Sequence, residues 1–303
     1  MPIEEDPFIR YIKCVGTGVK HNRDLTAEEM ADAMERMLNR QAAPEQIAAF
    51  LLGWRLKPES DEEFASALAV LDRYTRHTPI AESLELGYPF DGKNDEPYLF
   101  PLVASRLEPL KIRLVVYGDE RQPSKGGLTV KALHRAITPP ANLHYFDRRD
   151  YAPALAALTP IRRKLGLRTG LNTLERLPNV ARATCALIGV FHKPYVAKYV
   201  ELFAPRYERL AILKGSEGTP EIFGKCRLWL CRNGECEELR IDPSRYGIQI
   251  TKNFTRRPHD ELLAMTLDPD EHLIDLARFN AAVYAFVYGK VGSIDEGWER
   301  IGG

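Results

Sequence analysis

The hydrophobic pattern over roughly the first eighty residues is typical of helices. Apolar side chains recur every three or four positions in successive stretches, each preceded by a helix start signal. Thr26 and Glu29 form a capping box, Pro44 suits the first position of a second helix, and Ser60 and Glu63 form another capping box. The pattern predicts three short amphipathic helices that pack as a small bundle, with their Met and Leu stripes forming its core.

From residue 87 onward the pattern changes to short apolar runs separated by turns. The runs at 112–117, 184–190 and 210–213 have the length of buried strands, and helical patterns lie at 128–137 and 195–203. Strands that alternate with helices predict a mostly parallel sheet covered on both faces. A long apolar helix is expected at 273–288, packed on the sheet or on the bundle.

The fold class that follows is α/β, with a small N-terminal helical bundle and a larger α/β domain built on a central, mostly parallel sheet. The expected boundaries are residues 1–80 for the helical domain, joined by a segment near 171–179, and residues 81–303 for the α/β domain.

A hairpin is predicted at Asn233-Gly234, a sequence that favours a two-residue type I′ turn. Such a turn places Cys231 opposite Cys236. Five cysteines without metal-type spacing argue against a disulfide framework, so we expect two facing free thiols. A zinc site is disfavoured because Cys226, Cys231 and Cys236 lack a fourth ligand.

Composition removes some classes of function. Lys+Arg and Asp+Glu both number 42, so no overall field attracts nucleic acid, and a polyanion site would need a local cluster of one sign. No apolar run reaches the roughly 18 residues of a membrane span, and the acidic N-terminus is unlike a signal peptide. A soluble, cytoplasmic protein is expected.

Candidate chemistry begins where the run at 112–117 ends. Gly118 and Asp119 follow it, and Ser124, Lys125 and Gly126 then lead into the helical pattern at 128–137. Glycines beside a lysine at a helix start, after a parallel strand, suit an anion. The alternative is an ordinary connecting loop.

A second candidate is the cationic cluster of Arg162, Arg163, Lys164 and Arg168. On a helix ended by Gly166, at most two of these side chains can face one way, so part of the cluster must be solvated.

Several segments together resemble the anthranilate phosphoribosyltransferases and their divergent relatives, which share a fold with nucleoside phosphorylases. Residues 24–57 resemble the helical domain of that family. The sequence PIRRKLGLRT at 160–169 resembles its Arg-Arg-x-Leu-Gly-Ile-Arg-Thr segment, and FNAA at 279–282 with Gly289-Lys290 resembles its last helix. The resemblance keeps the order of the segments over nearly the whole chain.

The family's ligand motifs are only partly present. Its Gly-Thr-Gly-Gly-Asp loop and Asn-x-Ser-Thr helix start, which hold pyrophosphate, are matched by FDGKND at 90–95, without two of the glycines and without the hydroxyls. Its Lys-His-Gly-Asn strand end becomes VYGD at 116–119, its Ser-Lys is kept at 124–125, and its acidic metal-binding pair becomes Pro220-Glu221. This pattern resembles the divergent paralogues called anthranilate phosphoribosyltransferase-like or glycosyltransferase family 3-like proteins.

The resemblance implies a phosphorylated ligand, similar to phosphoribosyl pyrophosphate, in the cleft between the two domains. Its implied phosphate- and ligand-binding residues are Asp91, Gly92, Lys93, Gly118, Asp119, Ser124, Lys125 and Gly126. Arg162 matches the catalytic-site arginine that meets the anthranilate carboxylate, and Glu221 would be the remaining acid for Mg²⁺. Transfer of a phosphoribosyl or ribosyl group is one hypothesis, with true anthranilate transfer expected to be very weak or absent.

A second hypothesis, also allowed by the resemblance, is a non-catalytic, sequence-independent nucleic-acid-binding dimer with the same fold. Its candidate polyanion-binding residues are Arg162, Arg163, Lys164 and Arg168, joined by Lys20, Arg23, Arg256 and Arg257. Family members dimerise through the helical domain, which implies a homodimer here. A purely structural role is the third possibility.

Overall fold

The computed structural model describes residues 6–250 and 255–302. Within these residues the α-helices are α1 Ile9–Gly16, α2 Ala27–Leu38, α3 Pro44–Leu56, α4 Asp61–Arg73, α5 Phe100–Leu107, α6 Val130–Ala136, α7 Arg148–Tyr151, α8 Pro153–Ala156, α9 Thr159–Leu165, α10 Leu171–Leu174, α11 Tyr195–Phe203, α12 His259–Leu267, α13 Glu271–Tyr288 and α14 Ile294–Ile301. The strands are β1 Ser83–Gly87, β2 Arg113–Gly118, β3 Leu143–Asp147, β4 Cys185–Gly189, β5 Arg209–Leu213, β6 Cys226–Arg232 and β7 Glu235–Ile241.

The chain divides into a helical unit and an α/β unit. The helical unit consists of the chain up to Arg76, the short segment Gln122–Ser124 and the segment Arg148–Pro178. The later segment that joins the first helices is therefore longer than residues 171–179. The α/β unit contains His77–Arg121, Lys125–Asp147 and the chain from Asn179 onward.

The first helices of the helical unit begin at the predicted caps. The Thr26 hydroxyl accepts a hydrogen bond from the Glu29 amide, and the Glu29 carboxylate accepts one from the Thr26 amide at 3.1 Å. Ser60 and Glu63 form the same reciprocal pair before α4, and Pro44 is the first residue of α3. The sequence argument missed α1, which packs against α3.

Glu63 is fully buried and joins the helices of this unit by its carboxylate. It accepts hydrogen bonds from the Leu25 amide at 2.9 Å, from Trp54 Nε1 at 3.0 Å and from Lys57 Nζ at 3.0 Å. A buried carboxylate is tolerated when its oxygens are satisfied in this way. Glu63 therefore both caps α4 and links the helices of the unit, which explains why a capping residue is buried.

The α/β unit is built on a sheet of seven described strands in the order β3-β2-β1-β4-β5-β6-β7. The pairs among β1 to β5 are parallel, whereas β6 and β7 add an antiparallel hairpin at one edge. The prediction of a helical bundle and a mostly parallel sheet in one chain is confirmed. Two of its strands, β1 and β3, were not among the predicted ones.

Helices pack on this sheet through a continuous apolar core. The long helix α13 lies against α5, α14, β4 and β5, and most of its side chains are buried. From Phe279 onward the helix is apolar on almost all sides and therefore needs neighbours on all sides, whereas its first turns leave Glu271 and Asp275 exposed. None of the described helices is long and apolar enough to cross a membrane.

The hairpin β6–β7 has the predicted register, with Cys231 paired to Cys236 across Asn233-Gly234. The two thiols are joined as a disulfide, with Cα atoms 4.0 Å apart. The expectation of two free thiols is therefore wrong, because facing cysteines at that separation are within reach of a bond. Cys14, Cys185 and Cys226 are free.

Candidate anion-binding site

Two loops of the α/β unit are joined by their backbones at the carboxyl end of the parallel strands. The Lys93 amide donates to Leu128 O at 2.9 Å, the Leu128 amide donates to Lys93 O at 2.8 Å, and the Gly127 amide donates to Asp91 O at 2.8 Å. A Cβ on Gly127 would lie 2.5 Å from the Lys93 nitrogen, so only glycine permits this approach. The structure thus brings together the loop that follows β1 and the loop that precedes α6.

The joined loops surround a buried carboxylate that the sequence argument did not select. Glu217 accepts hydrogen bonds from the amide of Asn94 at 2.9 Å, from that of Asp95 at 3.0 Å and from that of Glu96 at 3.3 Å. Lys125 Nζ donates at 2.6 Å to Oε2, the oxygen that also accepts the 2.9 Å bond from Asn94, whereas Asp95 and Glu96 bind Oε1. Consecutive backbone amides that point at one anion form an anion-binding nest. We call these three amides with Lys125 Nζ the amide cradle.

The loop that carries Glu217 is fixed by packing on both sides. Gly215 and Gly189 approach the backbone at Thr219 so closely that a Cβ on either would clash. On α13, the Asn280 side chain accepts from the Ile222 amide at 2.8 Å and donates to its carbonyl at 2.9 Å. Glu217 itself has a left-handed backbone, with φ 53° and ψ 18°. The loop thus holds this glutamate in a conformation that L-residues rarely adopt.

Charges around the amide cradle shift several pKa values. Burial acts to raise the pKa of Glu217, but the charge of Lys93 and the hydrogen bond from Lys125 outweigh it, so that its pKa lies below the usual value. Burial raises the pKa of Asp95, and the Glu217 carboxylate adds to the rise. Burial also raises the pKa of Glu96 to about 7, with Glu217 contributing in the same direction. Glu217 is the carboxylate of this group that stays charged most easily.

Lys93 and Glu221 form a separate, fully buried ion pair. Lys93 Nζ lies 2.6 Å from Glu221 Oε2 and also donates to Pro97 O at 2.7 Å. Glu221 further accepts from the Tyr88 hydroxyl at 2.7 Å and from the amides of Leu99 and Phe100 at 2.6 and 3.0 Å. Both residues are thus used inside the fold, where the pair anchors the start of α5.

Glu221 does not fit a magnesium site in this geometry. Mg²⁺ requires oxygen ligands that face an open octahedral position, and both oxygens of Glu221 already bind donors of the chain. Residues 6–250 and 255–302 also contain no cluster of three or more His, Cys, Asp or Glu side chains that could hold a metal.

The other predicted phosphate residues are distributed between the two units. Gly118 ends β2 next to the ring of Tyr145, and Asp119 is buried with its Oδ1 accepting from the Glu120 amide at 2.7 Å. Asp91 and Gly92 lie in the joined loops, and Gly126 O is 3.0 Å from His259 Nε2. Ser124 is exposed and belongs to the helical unit. The structure therefore brings together Asp91, Gly92, Lys93, Lys125 and Gly126 in one unit.

Arg162 lies in the helical unit, where its guanidinium is fully buried. Its two terminal nitrogens bind Glu175 at 2.6 and 3.0 Å, and Arg148 Nη1 binds the same carboxylate. Burial acts to raise the pKa of Glu175, but the charges of Arg162 and Arg148 hold it below the usual value. The prediction that Arg162 belongs to an exposed polyanion-binding surface is therefore wrong, because a side chain with 0% exposure cannot contact a polyanion. We call these three residues the buried charge cluster.

The remaining predicted polyanion residues are accessible to different degrees. Arg163, Lys164 and Arg168 are exposed on and just after α9, which Gly166 ends with φ 73° as predicted. Lys20 and Arg23 are also exposed, and Arg23 pairs with Glu29. In the α/β unit Arg256 Nη2 donates to Lys125 O at 3.4 Å, and Arg257 pairs with Glu261.

Comparison with known proteins assigns the family. Residues 9–74 match the helical bundle domain of a glycosyl transferase family, and residues 136–302 match the a/b domain of the same family. The chain belongs to this family of glycosyl transferases. Within it, the relatives and structures below identify an anthranilate phosphoribosyltransferase-like protein, as the sequence motifs predicted.

Relatives extend over almost the entire chain. An uncharacterized protein of Aquifex aeolicus is 28% identical over 298 residues, covering 94% of this chain and 95% of its own. An anthranilate phosphoribosyltransferase of Stenotrophomonas maltophilia is 26% identical over 303 residues, covering 92% of this chain and 88% of its own.

Solved structures show the same fold. The anthranilate phosphoribosyltransferase of Thermus thermophilus has a TM-score of 0.73 at 21% identity, covering 98% of this chain and 93% of its own. That of Saccharomyces cerevisiae, in complex with PRPP and Mg, has a TM-score of 0.74 at 16% identity, with the same coverage.

Proposed function

We propose that this protein binds a phosphorylated small molecule of the phosphoribosyl pyrophosphate type through the joined loops of its α/β unit. The ligand's phosphates take the amide cradle of Asn94, Asp95 and Glu96 and the ammonium of Lys125. Gly92 and Gly126 provide close backbone approach, and Asp91 belongs to the same loops.

The observation that supports this proposal most is the hydrogen bonding of the amide cradle itself. Three successive amides and one ammonium converge on a single carboxylate within 2.6 to 3.3 Å. Backbone amides and lysine together are the donors that phosphate sites use in α/β proteins. The loops are therefore already arranged for an anion, although they lack the glycines and hydroxyls of the family motif.

Group transfer is proposed to be weak. Pyrophosphate departs from an oxocarbenium-like state, and preorganised donors around the leaving group supply most of the rate. In this chain Glu221 and Lys93 neutralise each other inside the fold, and Arg162 is held by Glu175. We do not propose Mg²⁺ as a ligand, because both oxygens of Glu221 already bind donors of the chain. Anthranilate should therefore turn over far below the roughly 1–10³ per second of ordinary enzymes.

Calorimetric titration with phosphoribosyl pyrophosphate tests the binding proposal. Lys125→Ala should weaken binding at least about tenfold, because a hydrogen bond to a charged group contributes about 1.5–3 kcal/mol. Arg240→Ala, which removes an exposed cation from β7, is the matched control and should bind like the wild type. A wild type that binds no phosphoribosyl pyrophosphate, or an unchanged Lys125→Ala variant, would refute the proposal.

Sequence-independent nucleic-acid binding is the second candidate, favoured by the exposure of three cations along residues 163–168 of the helical unit. Replacing Arg163 and Lys164 by Ala should weaken binding of single strands uniformly across sequences. It should also flatten the salt dependence by roughly one unit of slope per lost phosphate contact. Filter binding at two salt concentrations measures both effects. If the wild type retains no oligonucleotide at low salt, this candidate is excluded.

A homodimer through the helical unit completes the proposal. Three large apolar side chains of this unit are exposed, Val19 at 98%, Leu56 at 72% and Leu167 at 51%. Exposed apolar residues of this kind are suited to a protein interface. Sedimentation analysis should give twice the chain mass, and Leu56→Arg should reduce it. A wild-type monomer at high concentration would contradict this part.

A further inference from the structure

The amide cradle has an occupant of its own. Glu217 has a side chain that is 4% exposed, and both of its oxygens are used: one by the amides of residues 94–96 and the other by Asn94 and Lys125. A carboxylate and a phosphate oxygen pair use the same donors at the same distances. Whatever anion enters the cradle must therefore replace this carboxylate.

The occupant is held there against its backbone preference. Glu217 has the left-handed conformation, and Gly218 after it also has a positive φ, of 71°. An L-residue in this region is strained unless its surroundings hold it. The loop on either side stays fixed through Thr219, whose hydroxyl donates to Ser216 O at 2.8 Å.

We infer that Glu217 sets the ligand specificity of this site, acting as a resident carboxylate that only a multiply charged phosphate can displace from the amide cradle. The inference rests on the proposed function, since it assumes that the cradle is where phosphates bind. A singly charged anion gains nothing in the exchange, because it replaces one carboxylate by an equivalent charge. Pyrophosphate brings more charge to the same donors and also satisfies Lys125.

Two further acids lie beside the amide cradle. Asp95 and Glu96 provide amides to the cradle and carry carboxyl groups beside it. Their charges disfavour a second anion while Glu217 is present. Lys125, Lys93 and the exposed Arg256, which donates to Lys125 O, are cations whose charges act on the same acids. An anion that enters while Glu217 is in place is therefore repelled, and displacement of the Glu217 carboxylate reduces that repulsion.

The test compares inorganic pyrophosphate binding, in EDTA, by the wild type and by Glu217→Gln. Glutamine keeps one oxygen for the amides, so the loop should stay folded, but its NH₂ group leaves Lys125 unpaired. We expect pyrophosphate affinity to rise at least tenfold and the preference for pyrophosphate over inorganic phosphate to shrink. Glu208→Gln removes an exposed charge from the same unit and should bind like the wild type. Adding Lys125→Ala to Glu217→Gln should abolish the gain.

A second variant tests whether the amides of residues 94–96 keep their arrangement when the Glu217 carboxylate is absent. Glu217→Ala should speed hydrogen exchange of the amides of residues 94–96, and saturating pyrophosphate should restore their protection. Unchanged exchange, or a Glu217→Gln variant that binds pyrophosphate no better than the wild type, would overturn the inference. Titration with phosphoribosyl pyrophosphate separates the two proposals. If the wild type binds it while Glu217→Gln shows no gain, only the inference fails; if Glu217→Gln gains pyrophosphate but no form binds phosphoribosyl pyrophosphate, only the proposed function fails.

Discussion

Replacement of Glu175 by Gln should destabilise the helical unit more than any surface change. Glu175 is the one carboxylate of the buried charge cluster, and it accepts hydrogen bonds from both Arg162 and Arg148. Glutamine has nearly the same shape but no charge. The substitution therefore leaves two buried guanidinium groups facing each other without a counter-charge.

The magnitude follows from the contacts. Breaking a buried ion pair by removing one partner costs about 3–5 kcal/mol, because the remaining charge stays buried. Here two charges remain, so we expect a loss of about 4 kcal/mol or more in the free energy of unfolding. Arg162→Ala should cost less, about 3 kcal/mol, since Glu175 would still be paired with Arg148. Arg163→Ala, at the adjacent exposed position, should change stability by no more than about 0.5 kcal/mol.

Urea unfolding provides the measurement, followed by circular dichroism and by tryptophan fluorescence. Trp229 and Trp298 are replaced by Phe in every variant, so that the fluorescence reports Trp54, which is buried in the same unit as Glu175. The two signals are needed because two units need not unfold together. The expected order of stability loss is Glu175→Gln, then Arg162→Ala, then Arg163→Ala. Equal midpoints for Arg162→Ala and Arg163→Ala would refute the assignment of Arg162 to the core.

Three further outcomes are expected. Burial raises the pKa of Glu85 to about 7, so the folded state favours its protonated form. The stabilisation that protonated Glu85 contributes is fully present below about pH 4.5 and is lost as the pH rises through 7. Between pH 5 and pH 8 the free energy of unfolding of the wild type should therefore fall by on the order of 2 kcal/mol more than that of Glu85→Gln, measured by urea titration. The same pH dependence in both proteins would contradict this. Gly127→Ala should weaken phosphoribosyl pyrophosphate binding and lower the melting temperature more than Gly126→Ala, because its Cβ would lie 2.5 Å from the Lys93 backbone; equal melting temperatures would count against the joined loops. Glu217→Gln should lower the pKa of Glu96 in an NMR titration, since Glu217 contributes to its rise, and an unchanged pKa would contradict that coupling.

The sequence predicted those elements whose local signals, such as helix caps, serve the same purpose in the folded protein. The caps at Thr26, Pro44 and Ser60 begin helices because each satisfies backbone donors within a few residues. The strand β1 was missed because Glu85 lies at its centre, and a charged residue predicts an exposed position rather than a buried strand. Its burial depends on the Tyr207 hydroxyl and the Asn179 amide, which are distant in the chain.

The candidate site was predictable only as far as its loops. The motifs indicated residues 90–95 and 124–126 but selected Glu221 as the important acid and passed over Glu217. Both acids lie in one short segment, and nothing local distinguishes them. Their different roles come from Lys93 and Asn94, whose side chain and amide meet them across more than 120 positions of sequence. The same limit applies to Arg162 and Arg163, adjacent arginines of which only one is buried.

A crystal structure of the protein with pyrophosphate tests the central claim most directly. Our account predicts pyrophosphate on the amides of residues 94–96 and within hydrogen-bond distance of Lys125 Nζ, with the Glu217 side chain displaced from the amide cradle. Crystals soaked at saturating pyrophosphate in which Glu217 keeps its bonds to Asn94 and Lys125, and in which no anion lies at these loops, would contradict it.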